Sequence, residues 1–258
     1  MKWNLRLSLF FVALFYAFGP NVYADMCIES VNTTFALGRQ MGKEEHQKTY
    51  FTADKMKTIQ DGGKITIIRL DKGLIWNIDG SKKTYTEMTF KGMKESAQQA
   101  MKLMEDSMAN IPPEQRKLME QFKPHSHGPK KPKTTLERTG KMKDVSGYKC
   151  ELIVGSTRTT RTELWATKQV EYSKDAKNFF EALSSVFSEF PSFQEESFID
   201  DSLIELGFFP IETKKTSTGD PRGFSSTSII TKIEHKEFND SEFELPEGLK
   251  KVNAGMPH

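Results

Sequence analysis

Three apolar, β-branched runs separated by only a few turn residues constrain this chain most. Lys64 to Leu70 follows Asp61-Gly62-Gly63, Gly73 to Ile78 follows Asp71-Lys72, and Lys83 to Met88 follows Asp79-Gly80. Such runs read as strands, and the Asp-Gly pairs between them as hairpin turns. A connection this short returns the chain beside the strand it has just left, so neighbouring strands must run antiparallel, and a parallel crossover has no room. Ile28 to Phe35 and Lys48 to Lys57 are expected as two strands ahead of this meander.

The periodicity then changes. Met93, Ala97, Ala100, Met101, Met104 and Met108 recur at spacings of three and four with one adjacent pair, which places them on one face of a helix. Ile111-Pro112-Pro113 ends it, and Glu114 to Phe122 is expected as a short second helix. His125 to Lys133, rich in Pro and Lys, reads as a loop. Strands are expected again over Thr134 to Val145, Tyr148 to Val154 and Thr157 to Thr167. Ser173 is placed to cap a helix whose stripe is Phe179, Phe180, Leu183, Val186, Phe187 and Phe190, with Pro191 as its stop. Phe198 to Leu206 is expected to add a turn or two of helix. Strands follow at Gly207 to Ile211, Ser225 to Glu234 and, briefly, Asp240 to Leu245. The order of strands, helix, strands, helix, strands predicts an α+β fold: one antiparallel sheet with two helical insertions packed against it.

The first residues carry a different signal. Lys2 and Arg6 precede an apolar run from Leu7 to Phe18, and Gly19-Pro20 ends any helix there. Val22-Tyr23-Ala24 fits a signal-peptidase site, so residues 1–24 read as a secretory signal peptide cut between Ala24 and Asp25. The run falls short of the roughly 20 apolar residues that a membrane span needs, so the mature form is read as not membrane-spanning. Residues 25–258 then form a single domain, and the bacterial periplasm is its expected compartment. The whole chain has 37 basic and 35 acidic residues; without Lys2 and Arg6 the count is 35 of each. A balanced chain lacks the basic excess that phosphate backbones select, which argues against nucleic acid as a partner. Two cysteines in an exported chain, Cys27 and Cys150, are expected to pair. Closing so long a loop stabilises by about 4–5 kcal/mol in the chain-entropy account.

An ordered set of short motifs carries a resemblance. Ser146-Gly147-Tyr148-Lys149-Cys150 is followed by Thr162-Glu163-Leu164-Trp165-Ala166-Thr167, then by Gly207-Phe208-Phe209-Pro210-Ile211, then by Phe243-Glu244-Leu245-Pro246-Glu247-Gly248. Upstream stand Lys55-Met56-Lys57, Gly73 to Asp79 with Trp76, and Lys83-Thr84-Tyr85. Together they resemble an exported bacterial family of unknown function, similar in layout to the outer-membrane lipoprotein carriers. The resemblance spans residues 30–250. It implies a curved antiparallel sheet, an incomplete β-barrel, with the helices covering its concave face and a hollow between them for acyl chains. It implies no catalytic residue. The long Met-rich insertion and the His/Pro loop depart from that pattern.

On this reading Met93, Met101, Met104, Met108, Phe179, Phe180, Phe187, Phe190, Trp76 and Trp165 line a cavity for a lipid, an acyl chain or a lipoprotein segment. Flexible, polarisable Met side chains suit varied apolar partners. Ordinary core packing accounts for the same stripes, and then the protein is an envelope adaptor with a filled interior and an envelope protein as partner. Met101, Met104, His125 and His127 carry donor types that suit copper(I), which makes metal binding through the Met-rich helix and His loop a lesser alternative; no third convergent ligand is identifiable, and no metal site and no cofactor is assigned. The chain lacks a Gly-x-Ser-x-Gly elbow, a phosphate-binding glycine loop, a His-Glu-x-x-His and a Cys-x-x-Cys, and is read as non-enzymatic. The exported product is expected to begin at Asp25; N-terminal sequencing of material recovered from a periplasmic extract checks this, and Met1 at its start contradicts it.

Overall fold

Tight turns set the geometry of the first half of the sheet. In the computed structural model, which describes residues 25–109, 135–157, 160–187, 202–218 and 222–253, the expected meander is β3 (Lys55–Gln60), β4 (Lys64–Arg69), β5 (Leu74–Asp79) and β6 (Thr84–Thr89). The β3–β4 link is a single 310 turn, Asp61–Gly63, with Gly62 and Gly63 in the left-handed region that glycine enters without strain. Gly80 packs over it: its amide donates to the Gly63 carbonyl, and a Cβ there would stand 2.8 Å from that oxygen. The β5–β6 turn is held by Asp79, whose carboxylate accepts from the Ser81 hydroxyl and from the Lys82 amide at 3.0 Å.

Two further strands precede the meander, β1 (Met26–Ala36) and β2 (Arg39–Phe51). The expected strand Lys48 to Lys57 is instead two: the chain turns at residues 52–54, where the Thr52 amide donates to the Lys55 carbonyl and the Thr52 hydroxyl accepts from the Lys55 amide. Helix α1 (Phe90–Ala109) leaves the end of β6, as the Met stripe requires. The second meander is β7 (Thr135–Val145), β8 (Tyr148–Ser156) and β9 (Thr160–Thr167). Helix α2 (Lys174–Phe187) follows; Ser173 caps it, its hydroxyl accepting from the Ala176 amide at 3.1 Å. A helical turn at 202–205 leads into β10 (Phe209–Ser217) and β11 (Ser225–His235). Asp240 to Leu245, expected as a strand, is a 310 turn over Asp240–Phe243 that drives Phe243 into the core. The leader 1–24, the segment Glu114 to Phe122, the loop His125 to Lys133, Phe190, and the side chains of Met101, Met104 and Met108 lie outside the described residues.

Among the described residues all strands, the last being β12 (Lys250–Lys251), join one 12-stranded sheet in the order β12-β6-β5-β4-β3-β2-β1-β11-β10-β9-β8-β7. Every pairing is antiparallel except the last, where β12 runs parallel to β6. The outer strands β7 and β12 do not meet, so the sheet is an incomplete barrel with helices against one face. That face carries Phe51, Ile68 and Ile75 beneath α2. The opposite face carries Ile67, Trp76 and Ile78, and the C-terminal strap covers it with Phe238, Phe243, Leu245 and Leu249. Strand alternation sends successive residues to opposite faces, so where α2 and the strap lie over them β4 and β5 are buried on both sides.

Arg69 fastens the strap. The residue is 4% exposed; its guanidinium donates twice to Asp71 at 2.8 and 2.6 Å, and reaches both the Phe243 carbonyl and the Glu244 carboxylate. The Lys57 ammonium donates to the Glu242 carbonyl, and the Phe238 amide to Asp25. The guanidinium holds the Asp71 carboxyl, and with Lys72 the Glu244 carboxyl, below the ordinary carboxylate range.

The cysteines do not form the expected disulfide: Cys27 and Cys150 are separate buried thiols. The reason is alternation along β1. Met26 packs in one cluster with Cys150 on the helix-bearing face, so its neighbour Cys27 points to the other side of the sheet, against Tyr50 and Glu234. Burial raises the pKa of both thiols. Unfolded without reductant, the protein is expected to titrate two thiols and, while native, almost none; a single mass shift on reduction contradicts this. Arg69→Ala is expected to lower stability at pH 7 by about 2–3 kcal/mol, because charged hydrogen bonds and a buried stem are lost together. Carboxyls whose pKa is depressed by folding stabilise above their unfolded values and lose that contribution as pH falls through the folded ones. The gap between wild type and variant is therefore expected to narrow below about pH 4, which urea unfolding across pH reads directly.

Candidate functional site

Register sorts the helix-bearing face of β2 to β6 into three rows. Phe51, Met56, Ile68, Ile75 and Met88 lie opposite one another across five strands and make an apolar row. Two residues further along each strand comes a row of Thr49, Thr58, Thr66, Asn77 and Thr86. Two further on are Gln47, Gln60, Lys64, Asp79 and Thr84. Rows on one face stand about 7 Å apart, two residues of strand rise. The face thus grades from apolar through hydroxyl and amide to charged within two steps.

Helix α2 lies over the apolar row. Phe51 meets the Phe179 and Phe180 rings at 5.9 and 5.4 Å, and Phe187 meets Phe90, the first residue of α1, at 5.6 Å. Ala176, Phe179 and Phe187 are buried. Around this centre Met56, Met88, Met93, Phe180, Leu183 and Val186 are only half-buried. Tyr172 and Ile28 touch both this cluster and the neighbouring one of Met26, Cys150, Phe209 and Ile211. Past the helix, a shallow open cavity of about 330 Å³ lies over the second and third rows of β4 to β6, with Val252 at its edge. The Thr66 hydroxyl donates to the Asn77 side-chain amide oxygen, and the hydroxyls of Thr49 and Thr58 share a hydrogen bond at 3.2 Å. Hydrogen bonds from Ser81 and Lys82 hold the Asp79 carboxyl well below the usual carboxylate range.

The structure brings Met93, Phe179, Phe180 and Phe187 of the sequence-derived set together. Trp165 borders the adjoining cluster on the same face, with the Lys143 ammonium 4.4 Å from its ring centre. Trp76 sits apart. It packs on the opposite face with Ile67, Ile78 and Phe243, and its indole donates to Glu87 at 2.9 Å. Sequence reasoning does not single out the sheet residues of the apolar row. Their signal is present in alternation, but which residues line up across five strands depends on register. Among the described residues no three His, Cys, Asp or Glu side chains gather as metal ligands, and no helix is long and apolar enough to cross a membrane.

No curated protein matches the sequence. Among solved structures the chain is similar to an uncharacterized conserved protein from Thermus thermophilus, at 7% identity and a TM-score of 0.45, over 94% of this chain and 98% of the other. It is similar to a LolA superfamily protein from Nitrosomonas europaea, at 6% identity and a TM-score of 0.33, over 86% and 90%. PNGF-II is matched at 11% identity and a TM-score of 0.36; 89% of this chain aligns, and it spans 32% of the PNGF-II chain. A family profile matches residues 117–249, which run from before β7 to the C-terminal strap. The chain belongs to the family described as a domain of unknown function, DUF4412.

Proposed function

We propose that this protein is an exported, non-enzymatic binding protein of the bacterial periplasm that holds a lipid or acyl chain between the helix-bearing face of its sheet and helices α1 and α2. The apolar row carries the reading. Five strands contribute one apolar side chain each, and the helices above them close only the centre, leaving a rim of half-buried Met and Phe. Methionine rims adapt to chains of differing shape. An acyl chain sliding under α2 replaces side-chain contacts with its own, at about 0.8 kcal/mol per buried CH2, so the helix can be displaced without exposing the row to water. The basic start, apolar run and small-residue end of residues 1–24 support export.

A second reading, an envelope adaptor with a filled interior, draws on the complete burial of Ala176 and Phe179 against the sheet. Native mass spectrometry of residues 25–258 made in a periplasm and purified without detergent separates the two. The binding reading expects a reproducible co-purifying lipid or acyl chain. It also expects added fatty acid to bind, with Phe180→Asp or Met93→Asp weakening uptake at least about tenfold, since a buried carboxylate opposes an apolar ligand. An apo mass that takes up neither fatty acid nor lipopeptide favours the adaptor.

A further inference from the structure

The open cavity beyond α2 has a polar floor. On the helix-bearing face it is built from Thr66, Asn77 and Thr86 of the second row and Gln60, Lys64, Asp79 and Thr84 of the third. Ile65, Ile78 and Tyr85 also border it, but alternation sends their side chains to the opposite face, where they pack with Ile67 and Trp76. All the floor residues but Lys64 are half-buried. Among the described residues the Gln60, Lys64, Thr84 and Thr86 side chains have no hydrogen-bond partner in the protein, and the Asn77 amino group has none either. Half-buried polar groups in a trough normally find partners, and here the protein supplies few of them. The chemistry of the set is specific. Hydroxyls and primary amides both donate and accept. Lys64 stands between Gln60 and Asp79 in the third row, so one positive and one negative charge oppose each other across adjacent strands. The Asp79 carboxylate is already engaged by the Ser81 hydroxyl and the Lys82 amide and ammonium, so the groups left without partners in the trough are chiefly hydroxyls and amides.

We propose that this trough is the head-group subsite for the ligand whose chain lies on the apolar row, and that it takes an uncharged, hydroxyl-rich head such as a glycerol or sugar unit. The inference rests on the binding function proposed above and gives it a direction. The two polar rows stand about 7 and 13 Å from the apolar row along the same strands. An amphiphile therefore lies parallel to β4, β5 and β6, its chain under α2 and its head at the far end. A hydroxyl-bearing head offers a donor and an acceptor at each oxygen, matching the row of Thr66, Asn77 and Thr86 side chains spaced about 4.8 Å apart on adjacent strands.

The test holds the chain constant and varies the head. Residues 25–258 are titrated by calorimetry with dodecyl maltoside and with dodecanoate, each below its micelle concentration. Wild type is expected to bind the maltoside about tenfold more tightly than the fatty acid. Thr66→Val with Thr86→Val, or Asn77→Leu, is expected to remove that preference while leaving dodecanoate affinity unchanged. Phe180→Asp is expected to weaken both ligands together. Thermal melts check that each variant folds, and Thr86→Val alone stands in if the larger changes melt early. Equal affinity for the two heads in wild type, or a preference that every folded variant retains, overturns the head-group subsite while the chain site stands. If wild type binds neither ligand, both the subsite and the binding function fall.

Discussion

The antiparallel pairing of β11 with β1 turns two meanders into one sheet. Met26 to Phe35 pairs with Ser225 to His235, so the first strand of the domain and one of its last lie side by side at the centre. The helix-bearing face depends on that seam. Ile28 packs into both clusters beside it, and α2, which arises from the second meander, comes to rest over the apolar row of the first. Contacts this distant in sequence carry the loop-closure cost that makes sheets of this topology slow to fold.

The sheet separates its surfaces in two directions. Across the sheet, alternation sends Trp76, Ile67 and Ile78 to the strap and Ile68 and Ile75 to α2. Along the strands, one face changes character every two residues, from Phe51 and Ile68 to Thr49 and Thr66 to Gln47 and Lys64. An ordinary two-sided sheet needs only the first separation. The second makes the face itself amphipathic, with its apolar part beneath a helix and its polar part open over β4 to β6.

Much of the fold is legible in the sequence because its signals are local. Turns at Asp61 to Gly63 and Asp79 to Gly80 delimit β4 to β6, and Ser173 with the Phe stripe locates α2 to the residue at its start. The stretch Arg39 to Phe51 carries no such signal. Its first half is polar and exposed, and it is a strand because β1 beside it supplies partners. Asp240 to Phe243 fails the other way: its residues suit a short strand, but Arg69 and Lys57 bind the carbonyls around it and hold a turn. The candidate site is half legible. Helix periodicity picks out Phe179, Phe180, Phe187 and Met93, because each helix reports its own buried face. Sequence reasoning groups Trp76 with them although one step along β5 separates the two faces, and the three rows are a property of register, which no single strand encodes.

The two thiols lie on opposite sides of one layer of backbone, and a sulfur–sulfur bond between them would have to pass through it. The fold is accordingly held at this place by strand pairing and side-chain packing rather than by a covalent link between the first strand and the second meander.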